Sequence, residues 1–105
     1  MKTIITSTGN QLNSIFDLRF GRAGWFCLYD DQSGEISFIE NENINSQSGA
    51  GTNTVEKVVE LGAQKVISGD FGPKAKELLE KFNIQMVLLQ DDNSTVQHII
   101  DNLKS

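Results

Sequence analysis

Apolar positions recur along the chain in two rhythms. Residues 2–7 carry β-branched Thr3, Ile4, Ile5 and Thr6 in a short run that predicts a strand, closed by Thr8, Gly9 and Asn10. Residues 25–29 are apolar at every position, the pattern of a strand covered on both faces. Asp30-Asp31-Gln32-Ser33-Gly34 is a turn signal, and residues 35–40 put Ile36 and Phe38 on one face. These two runs predict a hairpin whose second strand lies nearer an edge. Residues 65–68 and 84–89 predict two further short strands. Residues 11–24 mix apolar and basic side chains without a period and read as a loop.

The second rhythm is helical. Val55, Val58, Val59 and Gly62 fall at i, i+3, i+4 and i+7, with Leu61 beside the stripe. Asn53 is placed to cap that helix with Glu56 three residues on, and Gly62 suits a left-handed stop. Ala75, Leu78, Leu79 and Phe82 repeat the spacing after Pro73, a residue suited to the first helical position, and Asn83 can end the run. Val96, Ile99, Ile100 and Leu103 give a third amphipathic helix, with Ser94 and Gln97 as its capping signature.

The predicted order is β, β, β, α, β, α, β, α. Strands joined through single helices run parallel with right-handed crossovers, and the hairpin forces one strand to be antiparallel. A three-layer α/β sandwich with a five-stranded mixed sheet accounts for every element.

Composition narrows the function. The 105 residues amount to one domain, residues 1–105, with 38% hydrophobic and 22% charged residues. Cys27 is the single cysteine, so neither an intrachain disulfide nor a cysteine-only metal cluster can form. Residues 1–8 are too short an apolar stretch for a signal peptide or a membrane span, which predicts a cytoplasmic protein. The net charge of −5 argues against nucleic acid and anionic membranes as partners. It leaves room for a small anionic ligand at a locally positive loop.

Loops after parallel strands collect on one sheet edge, where α/β proteins bind ligands. Three can converge: residues 7–10, 48–53 and 68–72. The second and third open helices, whose N-terminal amides favour anions. The candidate ligand-binding residues are therefore Thr8, Gly9, Asn10, Gly49, Gly51, Thr52, Gly69, Asp70 and Gly72, with Arg19 and Arg22 supplying charge. Ordinary turn chemistry explains the same glycines. Gly49-Ala50-Gly51 is not a dinucleotide fingerprint, since it follows a polar loop and lacks the third glycine. Cys27 in an apolar strand reads as a structural cysteine, and His98 lies away from the apolar stripe of its helix. No nucleophile–base pair is visible, so no catalytic residue is assigned.

The order of these pieces carries a resemblance. Asp17-Leu18-Arg19-Phe20-Gly21-Arg22-Ala23 precedes an aromatic strand, and Gly49-Ala50-Gly51 opens the first helix. Gly62-Ala63, Val66-Ile67-Ser68-Gly69 and Phe71-Gly72-Pro73-Lys74-Ala75 follow, then Asn83-Ile84 and Ser94-Thr95-Val96. Across nearly its whole length the chain resembles the dinitrogenase iron–molybdenum cofactor biosynthesis family of NifX, NifY and NifB C-terminal domains. The resemblance implies a ribonuclease-H-like fold with sheet order 3-2-1-4-5 and strand 2 antiparallel. It also implies a non-enzymatic carrier of iron–molybdenum cofactor or its iron–sulfur precursors. No carboxylate stands in residues 2–7, so the central acidic residue of nuclease chemistry is missing. Family members typically carry histidine where this chain has Arg19. Arginine cannot ligate a metal as imidazole does, but it can pair with an anion. A metal-free regulatory or protein-interaction module is the alternative reading. An enzyme acting on a small phosphorylated or carboxylated substrate is a third, resting only on the helix N-termini.

Overall fold

Strand β1 (Lys2–Ser7) has five consecutive buried residues, which requires cover on both faces and a neighbour on each side. The computed structural model, which describes residues 1–42 and 50–104, puts β1 at the centre of a five-stranded sheet. The other elements in chain order are β2 (Trp25–Asp30), β3 (Ile36–Glu40), α1 (Ala50–Glu60), β4 (Lys65–Ser68), α2 (Pro73–Lys81), β5 (Gln85–Leu88) and α3 (Val96–Lys104). The sheet order is β3-β2-β1-β4-β5. Strand β2 runs antiparallel to both of its neighbours, with Ser7 opposite Trp25 and Lys2 opposite Asp30. Strands β1, β4 and β5 are mutually parallel.

Alternation along each strand divides the core into two layers. Ile4, Phe26 and Val66 face Val55 and Val58 of α1 and Ala75 and Leu79 of α2. Ile5, Cys27, Tyr29 and Ile67 face Val96, Ile99 and Ile100 of α3. The result is the expected α/β architecture, with two helices on one face of the sheet and one on the other.

The structure corrects four local expectations. Helix α1 begins at Ala50, so Asn53 lies inside it and not at its cap. The added first turn lies close against α2, where a Cβ at Gly51 would come within ordinary contact, 3.4 Å, of the Ala75 side chain. The buried stripe of α1 is accordingly set by Thr54, Val55 and Val58, while Val59 is 42% exposed. Phe82 is half exposed as well. It is the C-cap of α2, and Asn83 at φ 59° reverses the chain so that Ile84 covers the core in its place. At α3 the cap is Thr95, whose Oγ1 accepts from the His98 N–H at 3.1 Å. Ser94 instead donates its hydroxyl to Asp91, whose carboxylate also takes the Asn93 and Ser94 N–H groups. Those bonds hold the Asp91 carboxyl below its usual range, the Ser94 hydroxyl contributing most.

Candidate functional site

The C-terminal ends of β1, β4 and β5 meet the start of β2 and the end of β3 on one edge of the sheet. The long segment between β1 and β2 covers that edge. Its first half is tied to α3: Ile15 bridges to Thr95, and the Phe16 N–H donates to the Ser94 carbonyl at 2.8 Å. Phe16 packs in the α3 layer, whereas Phe20 and Ala23 pack in the α1/α2 layer. Residues 17–19 therefore pass from one face of the sheet to the other across the strand ends.

That crossing is fixed from below. The Asp17 N–H donates to the Thr6 carbonyl at 2.9 Å, and the Thr6 hydroxyl donates to the Asp17 carbonyl at 2.6 Å. The Ser68 hydroxyl lies 2.9 Å from Thr6 Oγ1. Beyond the crossing, the Phe20 N–H donates to the Asp70 carbonyl at 3.2 Å, and the Phe20 and Phe71 rings lie 5.3 Å apart. Gly69 makes the approach possible, because a Cβ there would stand 2.8 Å from Leu18 Cα and 2.6 Å from Leu18 Cδ2. The Gln90 amide closes the same corner by donating to the Gly69 carbonyl.

At the crossing stands one ion pair of unequal burial. The Asp17 side chain is 5% exposed and that of Arg19 is 62% exposed. Arg19 donates from Nε to Asp17 Oδ1 and from Nη2 to Oδ2, both at 3.1 Å, and its backbone N–H reaches Oδ1 at 3.0 Å. This is a side-on, two-pronged pair. The hydrogen bond to Asp17, then its charge, raises the Arg19 pKa further.

The other predicted residues fall into three groups. Gly69 and Asp70 join Arg19 at the crossing. Thr8, Gly9 and Asn10 reach the same edge, but their loop is closed on itself: Thr8 N–H and Oγ1 both donate to the Ile15 carbonyl, and Gly9 N–H donates to Ser7 Oγ. Gly51 and Thr52 lie in the first turn of α1, and Gly72 is the N-cap of α2 without a side-chain cap. Gly49 lies outside the described residues. Arg22 is half-buried and already partnered within the protein. The start of α3 offers little to a ligand, because the Val96 and Gln97 N–H groups donate to the Ser14 and Leu12 carbonyls. A hollow of about 370 Å³, lined by Asp70, Phe71, Lys76, Met86 and Leu88, opens beside the Gly69–Gly72 loop.

Sequence reasoning missed the residues that support this edge. Asp17, Thr6 and Ser68 are buried polar groups that orient the crossing, and Asn41 donates from its side chain to the Gly21 and Ala23 carbonyls at 3.1 and 2.8 Å. The available signal was a carboxylate two residues before an arginine, a spacing suited to a local side-chain clamp.

The sequence description of one family, that of dinitrogenase iron-molybdenum cofactor, matches residues 1–105. The chain belongs to that family. An uncharacterised protein of Methanocaldococcus jannaschii is 28% identical over 89 residues, spanning 82% of this chain and 72% of its own length. Among solved structures, the apo form of the orange protein from Desulfovibrio gigas superposes with a TM-score of 0.90 at 26% identity, over 98% of this chain and 86% of that one. A NifB-like protein from Thermotoga superposes with a TM-score of 0.83 at 31% identity, over the same shares.

Direct ligation of a metal finds little support in the donor set. Among the described residues no three His, Cys, Asp or Glu side chains converge on one point. Cys27 is fully buried in the α3 layer, where burial pushes its thiol up to about 12. It is therefore a neutral thiol at physiological pH, and the thiolate is the form that binds metals. His98 is exposed on α3, its Nε2 3.5 Å from the Asn102 amide. Among the described residues no helix is long and apolar enough to cross a membrane.

Proposed function

We propose that this chain is a non-enzymatic binding or carrier domain for a metallocluster or other small anionic ligand, taken up at the sheet edge beside residues 17–24. The observation that carries the reading is Arg19, an exposed guanidinium held in one orientation by buried Asp17 where the loops converge. Family membership supplies the ligand class: iron–molybdenum cofactor or an iron–sulfur precursor as cargo. The scarcity of converging ligands implies that such cargo is held whole, through hydrogen bonds to its outer atoms. Arg19 and Arg22 are the proposed charged contacts, with Thr8, Gly9, Asn10, Gly49, Gly51, Thr52, Gly69, Asp70 and Gly72 as loop contacts.

Anaerobic purification followed by incubation with iron–sulfur and iron–molybdenum clusters tests this reading. Retained iron and a new visible absorption band, both reduced in the Arg19→Ala/Arg22→Ala variant, are the expected result. No retained iron and no spectral change overturns the metallocluster reading.

A metal-free interaction module is the second reading. It is favoured by Leu88, 63% exposed on edge strand β5 beside the hollow, and by half-exposed Phe82. A stable protein partner whose binding is lost in Leu88→Glu and unchanged in Arg19→Ala/Arg22→Ala would favour it.

A further inference from the structure

We infer that Asp17 is a positioning residue, which turns Arg19 into a directional fork for two acceptor atoms of one anionic ligand. A guanidinium carries five N–H donors in a fixed plane. Asp17 takes two of them, on the Nε/Nη2 side, which leaves three. Two of those three form the outer Nη1/Nη2 edge, opposite in the plane to the stem of the side chain. With the side chain 62% exposed, that edge is open to solvent.

The fork is rigid for stated reasons. The Asp17 backbone is fixed, since its N–H and carbonyl are both bonded to Thr6 in the central strand, and its side chain is only 5% exposed. Its carboxylate takes three N–H groups of Arg19, one from the backbone and two from the side chain. Arg19 thereby loses the rotamer freedom that an exposed arginine would otherwise give up on binding. The arrangement also has a cost that makes it testable. The pair is close to neutral, so Asp17 cancels much of the charge that would attract an anion. A carboxylate in this place weakens a site built on charge and strengthens a site built on direction.

The inference rests on the proposed binding of an anionic ligand at this edge, and the test separates the two. The Arg19 Nε–H resonance of ¹⁵N-labelled protein is followed during titration with molybdate, with inorganic phosphate as a second tetrahedral oxyanion. In the native protein this resonance is sharp, slow to exchange with water, and shifts saturably with molybdate. Asp17→Asn, which has the same shape and one negative charge fewer, binds roughly tenfold more weakly although the site is more positive. Arg19→Lys, which keeps the charge and loses the fork, weakens binding by a similar factor. Backbone amide spectra of both variants verify that the fold persists. Equal or tighter binding by Asp17→Asn overturns the positioning role and leaves the anionic reading standing. A cluster that binds without disturbing Arg19, or an Arg19 Nε–H that exchanges freely in the native protein, overturns the inference while the carrier reading survives. Loss of the carrier reading itself requires that cluster incubation also fails.

Discussion

The two edges of the sheet both use residues chosen for special backbone roles, but for opposite reasons. At the edge where β1 begins, Gly34 and Gly62 have φ of 77° and 76°, and Asn83 has φ of 59°. They sit in the β2–β3 turn and at the stops after α1 and α2, where the left-handed conformation reverses the chain. Space is no constraint there: a Cβ at Gly34 meets nothing within 4 Å, and one at Gly62 meets only the end of Lys2. At the edge where β1 ends, Gly9, Gly24 and Gly69 do not share that conformation. A Cβ would instead stand 2.6 Å from Ser14 Oγ at Gly9 and within 2.8 Å of Leu18 at Gly69. Gly34 and Gly62 serve through their torsion angles, Gly9 and Gly69 through their missing side chains. At the second edge the close approach comes from the protein's own loop, which is how the Asp17–Arg19 pair is laid over the strand ends.

The sharpest way to break this contrast is at Gly69. Gly69→Ala forces the crossing backbone to move and is expected to destabilise by about 3 kcal/mol, by overpacking against backbone. Gly69→Asn should be at least as damaging. Chemical denaturation measures both, and an alanine variant as stable as the native chain would mean that the crossing gives way easily. At Gly62 the order reverses. Gly62→Ala is expected to cost about 1–2 kcal/mol from the left-handed backbone, and Gly62→Asn distinctly less, since asparagine tolerates that region. Equal losses for the two substitutions would show that φ is not the constraint there.

The strip of sheet between the edges supplies a control in which burial alone decides. Cys27 has its thiol pKa raised from 9.0 to about 12, so the neutral form is favoured in the folded state. Its contribution is fully present below pH 9 and is lost as pH rises from 9 towards 12, because the unfolded chain ionises first. At pH 10 the native protein should lose about 1 kcal/mol more than Cys27→Ala does, each relative to its own value at pH 7. Parallel pH profiles for the two proteins would rule out this burial effect.

The smallest effects return to the candidate edge. Gly9→Ala is expected to cost about 1 kcal/mol or less, because Ser14 can rotate away at the expense of its bond from the Gln11 N–H. Ser14→Ala in the same chain should remove most of that cost, as a double-mutant cycle would show. Gly72 has ordinary torsion angles and open space, so Gly72→Ser should stabilise by a few tenths of a kcal/mol through the missing cap. If ligand touches this loop, the same substitution lowers cluster retention while thermal stability rises. Unchanged retention would remove Gly72 from the proposed contacts.

Much of this protein is decided by local chemistry. The strand and helix order follows from hydrophobic spacing, and the stops at Gly62 and Asn83 follow from which residues tolerate positive φ. The convergence of loops at one edge follows from β1, β4 and β5 running parallel, so that their C-terminal ends point the same way. Arg19 and Gly69 could be singled out for the same reason, as a cation and a glycine in loops bound for that edge. What the one-dimensional pattern could not supply is what each of them touches. Helix α1 starts earlier than its best capping residue, with Gly51 of its first turn lying against α2. Val59 and Phe82 continue apolar stripes, yet they are 42% and 50% exposed, Phe82 because the chain reverses at Asn83 and Ile84 covers the core in its place. Gly69 is needed because Leu18, fifty-one positions earlier, passes over it. Asp17 becomes a buried anchor for Arg19 only once Thr6 holds its backbone. Torsion preference and periodicity are properties of neighbouring residues, so the chain determines them by itself. Close approach, burial and the orientation of a charge depend on distant segments meeting, and only the tertiary structure decides those.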